Sequence, residues 1–364
     1  LDDKRGIVLA GAVIGALAVV LVQAGNAVNY GICIACFIRD TVGALGLHRA
    51  EVVQYIRPEL LGIGLGAFLT AAVKKEFSPR GGSAPLIRFI LGFFVIIGAL
   101  MFLGCPLRMV LRLAGGDLNA VFGLLGFIAG IVTGIQFLNR GFSLKRTYAL
   151  SQAEGYVFPG INLVVLALLT ATPPFIFFSV KGPGAAHAPL LISLAAGLVV
   201  GAAAQRTRLC MVGGIRDAVL FREWHLLLGF LAIFAAALAG NLAVGKFNPG
   251  FAGQSIAHTD GLWNFLGMAL AGWGSVLLGG CPLRQLILSG EGNIDSVIAV
   301  LGMAAGAAFA HNFNLASSTN GPTFNGQVAV IIGFVVVFAV AYFNMDRSPA
   351  VKMKGGIKVD SNAG

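Results

Sequence analysis

The sequence predicts an all-α, polytopic membrane protein: about ten transmembrane helices plus four re-entrant, Cys-bearing segments, arranged in two inverted repeats. Three observations predict it. The 364-residue chain is 57% hydrophobic and only 11% charged, with mean hydropathy +0.87. Soluble domains carry roughly a quarter charged residues, so this chain has too little polar surface to coat itself in water. Apolar runs that reach or approach the ~20 residues needed to cross a bilayer recur along its whole length. Finally, one pentapeptide occurs twice, as Gly104-Cys105-Pro106-Leu107-Arg108 and Gly280-Cys281-Pro282-Leu283-Arg284.

In chain order, hydropathy places spans near 6–25, 58–73, 86–103, 118–138, 157–179, 188–205, 224–244, 261–279, 294–312 and 326–343. The opening run follows Lys4-Arg5 and lacks a convincing small-residue cleavage site, so it reads as a first span and not as a signal peptide. Residues 29–40 are too short and interrupted to cross, yet too apolar for a plain loop. A re-entrant segment buried in protein is the expected form. The segment after span 6, Leu209 to Asp217, repeats the pattern: Cys33 falls on Cys210, and Ile38-Arg39-Asp40 on Ile215-Arg216-Asp217.

The shift is 177 residues for these segments and 176 for the Gly-Cys-Pro-Leu-Arg stretches and for Gly126-x-x-x-Gly130 against Gly302-x-x-x-Gly306. Three features at nearly one shift mark an internal duplication. Five spans separate the starts of the copies, and an odd number inverts the second copy. The expected division is a first repeat over 1–145, a connecting span over 146–182, a second repeat over 183–315, and a last span with its tail over 316–364. With both termini cytoplasmic, inside segments hold 18 of the 25 Lys and Arg residues, as the positive-inside rule requires. The tail after Asp346 is expected to be a short, disordered cytoplasmic end.

The net charge of +10 does not point to nucleic acid, because the basic residues are scattered in short groups between apolar runs. Five cysteines, four of them in or beside apolar runs, do not fit a secreted disulfide scaffold. In each Gly-Cys-Pro-Leu-Arg stretch, Pro fits the first turn of a helix, which places Cys at its N-cap. Free N–H groups and the positive dipole end then face outward, with Arg108 or Arg284 one turn further in. Each tip is suited to meet an anion. The candidate pathway residues are therefore Cys33, Cys105, Cys210, Cys281, Arg108 and Arg284, with Cys36, Arg39 and Arg216 secondary. Asp40 and Asp217 stand ready to neutralise the last two. Asp117, Asn119, Asn293 and Asp295 read as N-caps, and the Gly-x-x-x-Gly pairs as helix packing. The five histidines show no ligand spacing, so neither a metal nor another cofactor is expected.

The paired pentapeptides, the duplicated Cys-bearing segments and the Gly-rich spans resemble the YeeE/YedE sulfur-transport family, most nearly its YedE-type selenium transporters. The resemblance covers roughly residues 6–345. It implies a bacterial inner-membrane importer of a small thio- or seleno-anion, thiosulfate-like or a selenium species. Cysteines along a central pathway would hand the anion inward, with Cys105 and Cys281 central and Cys33 outer. Cys210 enters through the repeat, and Cys36 has no repeat partner, since Gly213 stands there. A cytosolic sulfur or selenium carrier protein is a further expected partner. The main rival is a membrane thiol oxidoreductase using Cys33/Cys36 and passing electrons to Cys105. A third reading is a membrane anchor for a cytosolic sulfur or selenium carrier.

Overall fold

The computed structural model describes residues 4–345; the expected cytoplasmic tail lies outside the described residues. Fifteen helices make up the described chain: α1 (Lys4–Gln23), α2 (Ile34–Ala44), α3 (Pro58–Val73), α4 (Pro85–Phe102), α5 (Pro106–Ala114), α6 (Asn119–Asn139), α7 (Gln152–Gly155), α8 (Val157–Ala171), α9 (Leu190–Thr207), α10 (Met211–Phe221), α11 (His225–Ala243), α12 (Gly261–Leu278), α13 (Pro282–Gly290), α14 (Ile294–Asn312) and α15 (Phe324–Phe343). The exception to the all-α plan is one antiparallel pair, β1 (Arg80–Gly81) with β2 (Tyr148–Ala149).

Nine helical stretches among the described residues are long and apolar enough to cross a membrane. The chain is a multi-pass membrane protein. The expected second span, α3, has 16 residues and rises ~24 Å, short of the ~30 Å hydrocarbon layer. Span 5 is corrected. It was expected to reach residue 179, but α8 ends at Ala171, because Thr172 turns left-handed (φ 43°) ahead of Pro173-Pro174. Proline offers no N–H and pushes the residue before it out of helical backbone. Residues beyond Thr172 instead form a loop pinned to the α2–α3 connection, with Ser179 donating to the Gln54 carbonyl and Gly184 to that of Val52.

Small residues set the packing. Gly126 and Gly130 of α6 lie on the carbonyls of Phe265 and Ala269 in α12, where a Cβ would collide with backbone. Gly302 and Gly306 of α14 lie on Phe89 and Phe93 of α4 in the same way. The glycines are thus the contact seams of α6–α12 and α14–α4, as close helix approach in a membrane demands. The other principal contacts are α1 on α11, α3 on α9 and α4 on α12. The core sits around α12, which is buried from Gly267 to Leu278.

Four helices of 9–11 residues, α2, α5, α10 and α13, are too short to cross alone. A sharp break with positive φ precedes all four, two residues before each N-cap, at Gly31, Leu103, Arg208 and Gly279. Of the four expected N-cap residues only Asn293 is one, accepting from Ser296 N. Asp117 pairs with Arg112, Asn119 sits inside α6 and bonds Asp117, and Asp295 accepts from the amides of Gly82 and Ser83. Asp117 still accepts from the first amide of α6, Asn119 N at 3.0 Å, through the oxygen that Arg112 leaves open.

Candidate functional site

Cys33, Cys105, Cys210 and Cys281 are the N-cap residues of α2, α5, α10 and α13, each in extended backbone. All four are buried. The cap geometry follows from sequence: Pro106 and Pro282 occupy the first turn, while Cys33 and Cys210 accept from the third-residue amides, Cys36 N at 3.2 Å and Gly213 N at 3.3 Å. The candidate cysteines therefore hold equivalent places at four helix starts.

In the first half the structure joins Cys33 to Cys36 as a disulfide, so the candidate outer cysteine is not a free thiol. The N-cap and third helical positions bring their Cα atoms to 5.3 Å, within bridging range. Cys105, Cys210 and Cys281 remain free. Arg108 Nη1 reaches Cys36 Sγ at 3.6 Å and the Leu103 carbonyl; Nε donates to Asn29 O at 2.8 Å and Nη2 to Ile256 O at 3.0 Å. Its guanidinium lies 5.2 Å from the Tyr30 ring centre. These bonds use four of five N–H donors, all on neutral acceptors. Arg108 is 0% exposed, and no carboxylate pairs with it among the described residues.

Arg39 is buried, and its expected pairing with Asp40 extends into a network with Arg57 and Tyr30 that sequence reasoning missed. Asp40 accepts from Arg39 Nη2 at 2.7 Å, Arg57 Nε at 2.8 Å and Tyr30 Oη at 2.6 Å. Arg57 Nη2 also holds the Pro183 carbonyl at 2.6 Å. One turn beyond Arg108, Arg112 pairs with Asp117 at 2.6 Å. The asymmetry is plain: Arg39, Arg57 and Arg112 have carboxylates, and Arg108 has none.

In the second half the thiols of Cys210 and Cys281 are neighbours. The structure thus brings these two candidates together, but pairs Cys105 with no other cysteine. Arg284 is not free: Nη1 bonds Glu291 at 3.1 Å. The repeat shift puts Glu291 opposite Gly115, so the first half has no such carboxylate. Arg216 pairs with Asp217 at 2.7 Å beside a 260 Å³ cavity lined by both and by Glu223 and His225. No group of three or more His, Cys, Asp or Glu side chains with ligand geometry occurs among the described residues.

Two buried sulfur pairs thus lie at helix starts, and one of them faces an arginine that no carboxylate neutralises among the described residues. Residues 206–349 match the sulphur transport family model. No curated protein matches the chain. The matched region runs from the end of α9 through α15 and contains Cys210, Arg216, Cys281 and Arg284. The chain is thus a multi-pass membrane protein whose residues 206–349 are similar to the sulphur transport family.

Proposed function

We propose that this protein imports a small sulfur- or selenium-containing anion, thiosulfate or a selenium species, through the bacterial inner membrane along its cysteine-capped helix tips. The observation that carries the reading is Arg108. A buried cation without a counter-charge is expensive, and buried charges are ordinarily paired. An anion passing between α2 and α5 supplies the missing partner, and the fifth N–H gives it a donor. The sulfur of Cys36 beside that guanidinium offers a polarizable surface suited to sulfur or selenium.

The rest of the route follows the helix starts. Cys105 presents a thiol at the tip of α5, and Cys281 with Cys210 receives the anion at the tips of α13 and α10. Thiols donate weakly, so each station holds the anion without trapping it. At Arg284 the Glu291 carboxylate weakens the attraction, which favours release there over retention. The two halves act as inverted repeats, with α2, α5, α10 and α13 re-entrant. In support, the repeat shift turns the α1–α11 contact into α9–α3, α4–α14 into α12–α6 and α5–α11 into α13–α3. Such exchanged pairs are what a pseudo-two-fold axis produces. Charge bias supports cytoplasmic termini.

The test is equilibrium binding of labelled thiosulfate and selenite to the purified protein. Arg108→Gln abolishes binding of the cargo, whereas Arg284→Gln, which removes an already paired charge, retains it. Equal binding by wild type and Arg108→Gln would remove the basis of the proposal. The Cys33–Cys36 disulfide favours one second reading, a thiol oxidoreductase whose Cys33/Cys36 dithiol closes to the disulfide as two electrons and two protons pass to a quinone-class acceptor. That reading makes Cys36 indispensable and Cys281 dispensable, the reverse of the transport weighting.

A further inference from the structure

The Cys33–Cys36 bridge joins residues with a sequence separation of only 3. The stabilisation a disulfide gives grows with the length of chain it closes, so a bridge this short adds little as a staple. Both cysteines are 0% exposed, which keeps bulky cellular thiols away from the bond. Arg108, equally buried, places Nη1 at 3.6 Å from Cys36 Sγ and has no carboxylate partner among the described residues. The Cys36 amide donates to Cys33 Sγ at 3.2 Å, at the N-terminus of α2. The second half lacks both features, because Gly213 stands opposite Cys36 and Glu291 pairs with Arg284. The bridge and the unneutralised arginine thus occur in the same half and touch each other.

A disulfide has no S–H to donate, so this pair cannot hold an anion as the free thiols do. Its chemistry is exchange, in which a nucleophilic sulfur attacks one sulfur of the bridge and the other departs as thiolate. Arg108 alone gives no selectivity. Its N–H groups recognise oxygen and negative charge, which sulfate carries as fully as thiosulfate does. The two dianions share one shape and differ in a single atom, a terminal sulfur in thiosulfate where sulfate has another oxygen. The group beside Arg108 that reacts differently with the two is the disulfide.

We propose that the Cys33–Cys36 disulfide selects the cargo by reversible exchange with an anion whose terminal atom is a nucleophilic sulfur or selenium. The inference rests on the anion reading of Arg108. Arg108 holds the oxygens of the anion while its terminal sulfur attacks Cys36 Sγ. One S–S bond forms, leaving an S-sulfonated persulfide on Cys36, as the Cys33–Cys36 bond breaks. Cys33 departs as a thiolate beside the Cys36 amide, where the positive end of α2 favours negative charge. The two charges of the dianion are then divided, one on the sulfonate and one on Cys33. No outside oxidant, reductant or proton takes part. Attack of the Cys33 thiolate on Cys36 Sγ restores the bridge and frees the anion unchanged. Sulfate presents only oxygen and forms no such bond.

The test uses the purified full chain, without added thiol, equilibrated with thiosulfate labelled at its terminal sulfur or with sulfate. Samples are quenched in acid, denatured and alkylated, and their peptides are mapped without reduction. The expected result with thiosulfate is alkylated Cys33 together with the labelled S-sulfonated persulfide on Cys36, in a fraction that rises with bound thiosulfate. Sulfate, or no anion, leaves the two cysteines bridged. Cys33→Ser, which leaves Cys36 with no bridge to open, loses the adduct. Thiosulfate binding by wild type with the bridge intact overturns the inference and leaves the anion reading in place. Equal opening of the bridge by sulfate, an adduct that persists in Cys33→Ser, or alkylation of Cys33 and Cys36 before any anion is added also overturns it. Absence of thiosulfate binding by wild type removes both readings together.

Discussion

The two Ile-Arg-Asp copies give a controlled comparison, because the same tripeptide sits in two environments. Asp40 is 0% exposed and holds Arg39, Arg57 and Tyr30 at 2.6–2.9 Å. Asp217 holds only Arg216, and their side chains are 20% and 27% exposed. Asp40→Asn keeps the shape but leaves two buried guanidiniums without their counter-charge, and breaking a buried pair in this way costs about 3–5 kcal/mol. The Asp217→Asn change sits where water screens the pair, so its cost is below about 1 kcal/mol. With unfolding entropy near 2.1 cal/mol/K per residue, a loss of about 4 kcal/mol lowers the midpoint of this chain by about 5 °C. Thermal unfolding of the two variants in one detergent measures the difference. Midpoints for Asp40→Asn and Asp217→Asn within 1 °C of each other would refute the claim that burial of the Arg39–Asp40–Arg57 network is what distinguishes the copies.

Other consequences concern packing, titration and sulfur. Gly126→Leu or Gly302→Leu forces a side chain against the Phe265 or Phe89 carbonyl and destabilises by about 1–3 kcal/mol or more; wild-type thermal midpoints in both would contradict the seam assignment. Burial holds His258 below the usual imidazole value, despite its contact with the Met101 carbonyl and with Asp260 nearby. The unfolded chain therefore binds its proton first, and stability contributed by neutral His258 is lost as pH falls below about 6.5. His258→Gln flattens that part of the pH–stability curve, and an unchanged slope would contradict the assignment. Mild copper-phenanthroline oxidation links Cys210 to Cys281 and leaves Cys105 unlinked; peptide mass mapping that finds Cys105 bridged instead would overturn the pairing.

Much of the architecture was legible. Hydropathy located the apolar helices, and Cys-Pro beside Gly fixed Cys105 and Cys281 as N-caps, because proline at the first helical position leaves little choice. Gly-x-x-x-Gly at one shift identified the two glycine seams. The end of span 5 was readable too, since Thr172-Pro173-Pro174 is a helix stop that an apolar window passes over. What decides the site lies far apart in sequence. Arg39 is buried because Tyr30 and Arg57 close around Asp40, and the repeat offers only Thr207 and Phe234 at those places. Neither residue carried a motif. The isolation of Arg108 was equally hidden, because it is seen only against Arg284, whose partner Glu291 stands where the first half has Gly115. The proximity of Cys210 and Cys281 depends on how α10 and α13 meet, which no local pattern specifies.

The central claim is tested most directly by uptake into proteoliposomes holding only this protein, with labelled thiosulfate and selenite compared side by side. Cys105→Ala and Cys281→Ala run in parallel. The expected result is uptake of one of the two anions by wild type and its loss in both variants. No uptake of either anion by folded wild-type protein, or full uptake by both variants, would contradict a cysteine-lined anion pathway.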